Sequence, residues 1–415
     1  MELNITRIKQ DFDGILQFNQ TPEKGWTRFS FSEEDKMARD YLIGELKKLG
    51  VAVGVDGIGN IRAKYGSNLN QPSIMIGSHI DTVKHGGRFD GLTGVLVALE
   101  MIRVFKEENI QLNRPIELIC FSEEEGSNFG ITMLGSKAIT GKLTVEDLKE
   151  IKNPEGVSAY ELAKGFGLEV DQLPAQILKQ NEIDSMIELH IEQGAVLEHN
   201  GKSVGIVEAI SGMSTYKITL KGDSNHAGTT PMDYRSDPMV GAAEIIASIQ
   251  KAAKHRALPT TVATVGKIKA EPNVPNIIPQ QVEFYVDIRD VQKKGIELVS
   301  MELEDMTKQV ANEHRLTAII EKIGSSEPVK LSSRLIKKME ECVQANNSEA
   351  IKLNSGAVHD VAMLKDVAEI GMVFIPSLAG KSHCPEEYTD FQDIKLGGDF
   401  LLNVVYTLAT ETQKV

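Results

Sequence analysis

Positive charge is scarce in this chain: 45 Lys and Arg face 59 Asp and Glu, a net charge of −14. Binding a phosphate backbone needs a basic face, so the balance argues against a nucleic-acid partner. No run of about 18 unbroken apolar residues is present, which excludes a membrane-spanning helix. The first residues, MELNITRIKQDFDG, lack the basic-then-apolar order of a signal peptide. Cysteine is nearly absent, and Cys120, Cys342 and Cys384 are not in paired spacing, which suits a reducing cytosol. Internal repeats and low-complexity segments are lacking too. What remains is 415 residues with 41 % hydrophobic and 25 % charged content, values of a soluble globular protein too long for one core. The expectation is a cytoplasmic α/β protein of two domains whose partners are small molecules.

The pattern of elements divides the chain. A helix is expected through SFSEEDKMARDYLIGELKKLG, with Ser32 and Asp35 as a capping box and Gly50 closing it. Strand-like runs then alternate with helical ones: VAVGVD, SIMIGSH, a helix through TGVLVALEMIRVFKEE, then IELICFS and SMIELHIE. That alternation predicts a sheet flanked by helices. The segment 141–183 reads as mostly helical. Near residue 210 the style changes to STYKITLKG, a helix, TVATVGKIKA, QVEFYVDIRD, a second helix and LTAIIEKIG. This β-α-β-β-α-β order is the plan of a ferredoxin-like domain. The first style resumes after it, so residues 1–210 and 329–415 are expected to form one domain and 211–328 an insertion.

The polar residues within the larger domain cluster at strand ends. His79 and Asp81 close SIMIGSHID, and Asp90 sits in the Gly-rich loop GGRFDG. Glu123, Glu124 and Glu125 follow IELICF, His190 and Gln193 end SMIELHIEQ, and His383 follows MVFIP. Sites in open α/β sheets form beyond the carboxyl ends of strands. One His or Asp in a glycine-rich loop is more often a turn residue or a solvated side chain; His85, His199, His255 and His314 keep that reading. Five such groups converging suit two divalent ions, because imidazole and carboxylate are zinc ligands and ions about 3.5–4 Å apart can share a carboxylate. Mn, Co and Ni fit the same donors as Zn. Asp81, two residues after His79, is placed to accept the other ring N–H of that histidine.

GSHIDTV…GGRFDG, EEEGSNFG, HIEQG, HAGTTPMDYRSD, NIIP, DIR, SGAVHD and SHCPEEYT, in that order, resemble the metal-dependent amidohydrolases of the M20 peptidase-like superfamily. The nearer resemblance is to its ureido branch: N-carbamoyl-L-amino acid hydrolases, allantoate amidohydrolases and β-ureidopropionases. It implies a zinc-peptidase-like catalytic domain and an inserted dimerisation and lid domain in a homodimer. It places His79 and His190 on one metal ion, Glu125 and His383 on the other, and Asp90 between them. Glu124 would be the general base, and His226 would stabilise the oxyanion and reach the partner subunit's site. Asn276 and Arg289 would hold a substrate carboxylate, and Gln193 would contact the ureido end. His359 matches a position near the site, with helix capping by Ser355 or packing as its rival reading. Arg289 also has an unrelated reading, a surface pair with Asp287 or Asp290.

Two departures stand out. Asn128 occupies a position where many members carry Arg, and Val358 replaces a small residue. The reaction implied is hydrolysis of an N-carbamoyl-L-amino acid, a small ureido substrate carrying a carboxylate. Allantoate hydrolysis is the close alternative; β-ureidopropionase or peptidase activity is a more distant one. A binding protein without activity would be expected to lack a ligand or the base, and all are present.

Overall fold

The computed structural model describes residues 1–345 and 349–411. In chain order the strands are β1 (Ala52–Val55), β2 (Ile61–Tyr65), β3 (Ser73–His79), β4 (Ile116–Phe121), β5 (Ile183–Ile191), β6 (Gly205–Ile210) and β7 (Gly212–Lys221). They continue as β8 (Val262–Glu271), β9 (Gln281–Asp290), β10 (Thr317–Ser326), β11 (Val329–Lys330), β12 (Ile351–Ser355) and β13 (Glu369–Ile375). By its contacts the chain divides into two compact units. The first holds Met1–Glu208, Leu331–Leu353 and His359–Val415; the second holds Ala209–Lys330 and Asn354–Val358.

The first unit is built on a mixed sheet whose strands run β1-β2-β4-β3-β5-β13-β6. Its centre is parallel: β3 pairs with β4 and β5, and β5 with β13, all in one direction. Central parallel strands are buried on both faces and read as continuous apolar runs. Every residue of β3 and β4 is accordingly buried. The helix Leu92–Glu107 is apolar nearly all round, and Leu92 through Phe105 are all buried within the core. Its two internal charges are paired: Arg103 bonds Asp11, Glu45 and Glu100.

The helix Glu33–Lys48 starts as expected at Ser32, whose side chain accepts the Asp35 N–H. The return half of the capping box does not form. Asp35 instead accepts the Phe31 N–H at 2.9 Å and pairs with Arg39 at 2.7 Å. Strands β2 and β6 lie outside the sequence expectation. In β2, Arg62 and Lys64 hide the apolar pattern, and in the fold Arg62 is neutralised by Glu117 and Glu182. The 141–183 segment holds only short helices, Val145–Glu150, Ala159–Gly165 and Leu173–Gln176, plus one 3-10 turn.

The second unit is a four-stranded antiparallel sheet in the order β10-β7-β9-β8. Two helices, Pro238–His255 and Lys293–Glu313, complete the β-α-β-β-α-β sequence of a ferredoxin-like fold. Period-two alternation in β9 sends Val282, Phe284, Val286 and Ile288 into one core with Ile245, Ile249, Val299 and Leu303.

Candidate metal centre

Parallel pairing brings the chemistry of the first unit to one end of its sheet. His79, the last residue of β3, lies opposite Phe121, the last of β4, and Phe374 of β13 lies opposite His190 of β5. The loops leaving these strands carry Asp81 and Asp90, Glu123 to Glu125, Gln193, and His383.

Asp90 stands at the middle of the group. Its Oδ1 is 3.0 Å from His190 Nε2 and 3.4 Å from His79 Nε2. Its Oδ2 is 3.3 Å from His383 Nε2, which in turn lies 3.4 Å from Glu125 Oε2. One carboxylate thus presents each oxygen to a different set of donors, His79 with His190 and Glu125 with His383. Within each set the donor atoms lie within 4.8 Å of one another. A further buried group, Glu188, His190 and His359, is less suited to an ion. Both oxygens of Glu188 are already taken, by Ser78 Oγ at 2.6 Å and the Val361 N–H at 3.1 Å.

The histidines are aimed by their backbone surroundings. His79 Nδ1 faces the Asp81 carbonyl at 3.0 Å and His190 Nδ1 faces the Ile191 carbonyl at 2.8 Å. A carbonyl only accepts, so each Nδ1 carries a proton and each Nε2 is the ring atom turned toward Asp90. The Gly91 N–H donates to His190 Nε2 at 3.3 Å, consistent with that tautomer. Gly91 itself has φ +61°, and a Cβ there would fall 2.5 Å from the His79 ring. At Asp81 the carbonyl is the nearer acceptor to the His79 ring, and the carboxylate Oδ1 lies 3.7 Å from the same Nδ1. The carboxylate accepts the backbone N–H groups of Glu124 at 3.2 Å and Glu125 at 3.1 Å.

The electrostatics report an excess of negative charge. Burial, and then the neighbouring carboxylates, push the Glu125 carboxyl up to about 8 and Glu124 well above the usual range. Hydrogen bonding to Asp90 lifts the His383 imidazole to about 9. Burial acts against ionised Asp90, yet His190 first, and then the other imidazoles, hold it well below the ordinary carboxylate range. Acids pushed up beside imidazoles pushed up describe a site short of cations. Divalent ions are what such a donor set accommodates, and the residues present fit them.

Around this centre, Glu124 Oε2 lies 3.8 Å from His79 Nε2. Gln193 donates from Nε2 to Asp90 Oδ2 at 2.6 Å, while its Oε1 is buried and has no hydrogen-bond partner among the described residues. The His359 ring packs edge-on against His190 with centroids 4.6 Å apart, and burial first, then His190, keep it neutral. Ser355 Oγ accepts the Ala357 N–H at 3.2 Å. Glu123 is fully buried. Its carboxylate accepts the Asn128 backbone N–H at 2.8 Å and Asn128 Nδ2 at 2.9 Å, and burial pushes it up to about 8.

The second unit holds the remaining candidates. His226 is exposed, and its Nδ1 accepts the Gly228 N–H at 3.0 Å, so the neutral ring carries its proton on Nε2. The Ala227 N–H bonds the Asn276 carbonyl at 2.9 Å, bringing the His226 and Asn276 loops together. Arg289 donates to Asp287 at 2.7 Å and 3.3 Å and to the Gly356 carbonyl at 2.9 Å. The alternative surface pairing of Arg289 with Asp287 is therefore realised in this conformation; Asp290 is bound by Thr260 and Thr261 instead.

Sequence reasoning missed Ser382, Glu387 and Glu188. Ser382 and Glu387 flank His383 in SHCPEE, a short polar loop in which the sequence does not mark Glu387 as buried.

Peptidase family M20/M25/M40 matches residues 75–407 of the chain. The chain is 38 % identical over 394 residues to an N-carbamoyl-L-amino-acid amidohydrolase of Pseudomonas sp. (strain NS671), covering 94 % of this chain and 95 % of that one. It is 34 % identical over 406 residues to an allantoate amidohydrolase of Bacillus subtilis, covering 97 % of each. Among solved structures, an amidase of the hydantoinase/carbamoylase family from Burkholderia multivorans superposes with a TM-score of 0.92 at 30 % identity, covering 99 % of each chain.

Proposed function

The chain belongs to peptidase family M20/M25/M40, and on that premise we propose that it hydrolyses the ureido C–N bond of an N-carbamoyl-L-amino acid, yielding the amino acid, carbon dioxide and ammonia. The observation that carries the reading is Asp90 facing His79 and His190 with one oxygen and His383 with the other, Glu125 beside His383. In this proposal those five residues hold two divalent ions, zinc or one of Mn, Co and Ni. Bound ions would supply Lewis-acid polarisation of the ureido carbonyl and acidify the attacking water.

The chain's own groups then have defined work. Glu124, buried beside His79, takes a proton from the attacking water and passes it to the leaving nitrogen. Gln193 fixes the ureido end, its partnerless Oε1 being an acceptor for a substrate N–H. Arg289 exchanges Asp287 for the substrate carboxylate, which its planar fork meets with two parallel bonds, and Asn276 assists. His226, with its proton on Nε2, donates to the oxyanion that forms on the carbonyl oxygen. His359 keeps a neutral, close-packed wall against His190. Asp81 sets the backbone of the glutamate loop.

The proposal extends to a cytoplasmic homodimer formed through the second unit. Strand β8 lies at the edge of its sheet with Val262 and Ile268 exposed, an arrangement suited to pairing with a second copy.

A panel assay tests the substrate. The protein loaded in turn with Zn, Mn, Co and Ni is offered several N-carbamoyl-L-amino acids, allantoate and a dipeptide. Preferential ammonia release from the carbamoyl amino acids is the expected outcome. Faster turnover of allantoate or of the dipeptide would replace this reading with the corresponding one.

A further inference from the structure

The loop carrying Asp90 and the segment carrying His383 are tied together by Glu387, which is 2 % exposed. Its Oε1 accepts the backbone N–H groups of Phe89 at 2.9 Å and Asp90 at 3.1 Å. Its Oε2 accepts from Ser382 Oγ at 2.8 Å. The fit is close: a Cβ on Gly87 would fall 2.1 Å from the Glu387 carboxyl group, so the loop lies directly on it.

Ser382 Oγ is also 2.9 Å from Asp90 Oδ2, and it accepts from Gln193 Nε2 at 3.2 Å. A hydroxyl has one proton, so Ser382 can donate to Asp90 or to Glu387 but not to both. Asp90 Oδ2 is the oxygen that faces His383, on the Glu125 side of the centre.

We propose that Glu387 is a positioning residue: by drawing the single Ser382 proton to itself, it keeps that proton off Asp90 Oδ2, which then carries only the Gln193 amide donor beside the cation held with Glu125 and His383. The inference rests on the metal-centre reading above. When Oδ2 is engaged by a cation, the Ser382 proton has Glu387 as its acceptor, and the same carboxylate keeps the Asp90 loop and the His383 segment at a fixed spacing. Outer contacts of this kind commonly set metal affinity within about 10–100-fold.

Glu387→Gln separates the polarity of this bond from its shape. The side-chain oxygen retains the two backbone N–H groups, while the amide N–H donates to Ser382 Oγ. The hydroxyl proton is then left facing Asp90 Oδ2, where it competes with the cation. Calorimetric titration of the chelator-stripped full chain with Mn²⁺, with the thermal midpoint of each apoprotein as folding control, reads this directly. The wild type should show two binding steps. In Glu387→Gln the weaker step should lose about tenfold or more in affinity while the other is retained. In the Ser382→Ala background the same substitution should change affinity by less than about twofold, because no hydroxyl proton remains to redirect. An equal loss in both backgrounds, or unchanged binding in Glu387→Gln, would overturn the inference while leaving the metal centre standing. A wild type that takes up no Mn²⁺ would remove both.

Discussion

The Asp81 carboxylate holds Glu125 by its backbone, accepting the N–H at 3.1 Å through Oδ2 while Oδ1 accepts that of Glu124 at 3.2 Å. Both oxygens of one buried acid therefore fix the turn that presents two neighbouring glutamates. Asp81→Asn leaves only one oxygen to accept, and the amide N–H₂ opposes the other backbone donor. The variant should lose about 1–3 kcal/mol of stability and about 10–100-fold in metal affinity. Thermal unfolding and metal titration measure the two effects; unchanged values in both would show that the turn does not depend on Asp81.

Glu124→Gln removes proton transfer while conserving shape. Metal content should be retained, and kcat should fall by about 10²–10⁴-fold, the usual contribution of a positioned acid or base. Elemental analysis beside steady-state kinetics makes the comparison. A variant that kept most of its rate would move the base elsewhere.

Arg289→Lys keeps the positive charge and loses the planar fork. Since the fork is assigned to the substrate carboxylate, KM should rise by about tenfold or more with a smaller change in kcat. Substrates whose carboxylate is replaced by an amide should discriminate little between the variant and the parent. Equal loss on both substrate types would instead indicate that Arg289 serves the fold through Asp287 and Gly356.

Arg103 provides a control remote from the reaction. It is almost fully buried and bonds Asp11, Glu45 and Glu100. Arg103→Ala removes this cation from buried Asp11, while Glu100 keeps Arg7 and Glu45 keeps Lys48. The cost should be about 3–5 kcal/mol, read as a lowered unfolding midpoint, with kcat unchanged in the fraction that stays folded.

The sequence made the strand-end residues legible because parallel strands have unbroken apolar runs, so a polar residue at their end is conspicuous. His79, His190 and the three glutamates were visible in this way. The residue pattern put Asp90 only in a glycine-rich loop, and its place between the two donor pairs came from the family resemblance; that each of its oxygens faces a different pair is seen in distances between segments far apart in the chain. Sequence adjacency put Asp81 beside His79, where its carbonyl and carboxylate both lie, but gave no sign that the same carboxylate also accepts the backbone N–H groups of Glu124 and Glu125. Strand β2 was hidden because Arg62 and Lys64 acquire their counter-charges, Glu117 and Glu182, from other segments. Glu387 had no periodic signal at all. Its burial depends on Phe89, Asp90 and Ser382 arriving around it.

The most direct test is ammonia release from an N-carbamoyl-L-amino acid by one preparation measured three times: as purified, after exhaustive chelation, and after a divalent ion is restored. The account predicts turnover in the first state, loss of nearly all of it in the second, and recovery in the third with the fold intact throughout. Hydrolysis that persists undiminished in the fully stripped protein, or its absence with every ion supplied, would contradict it.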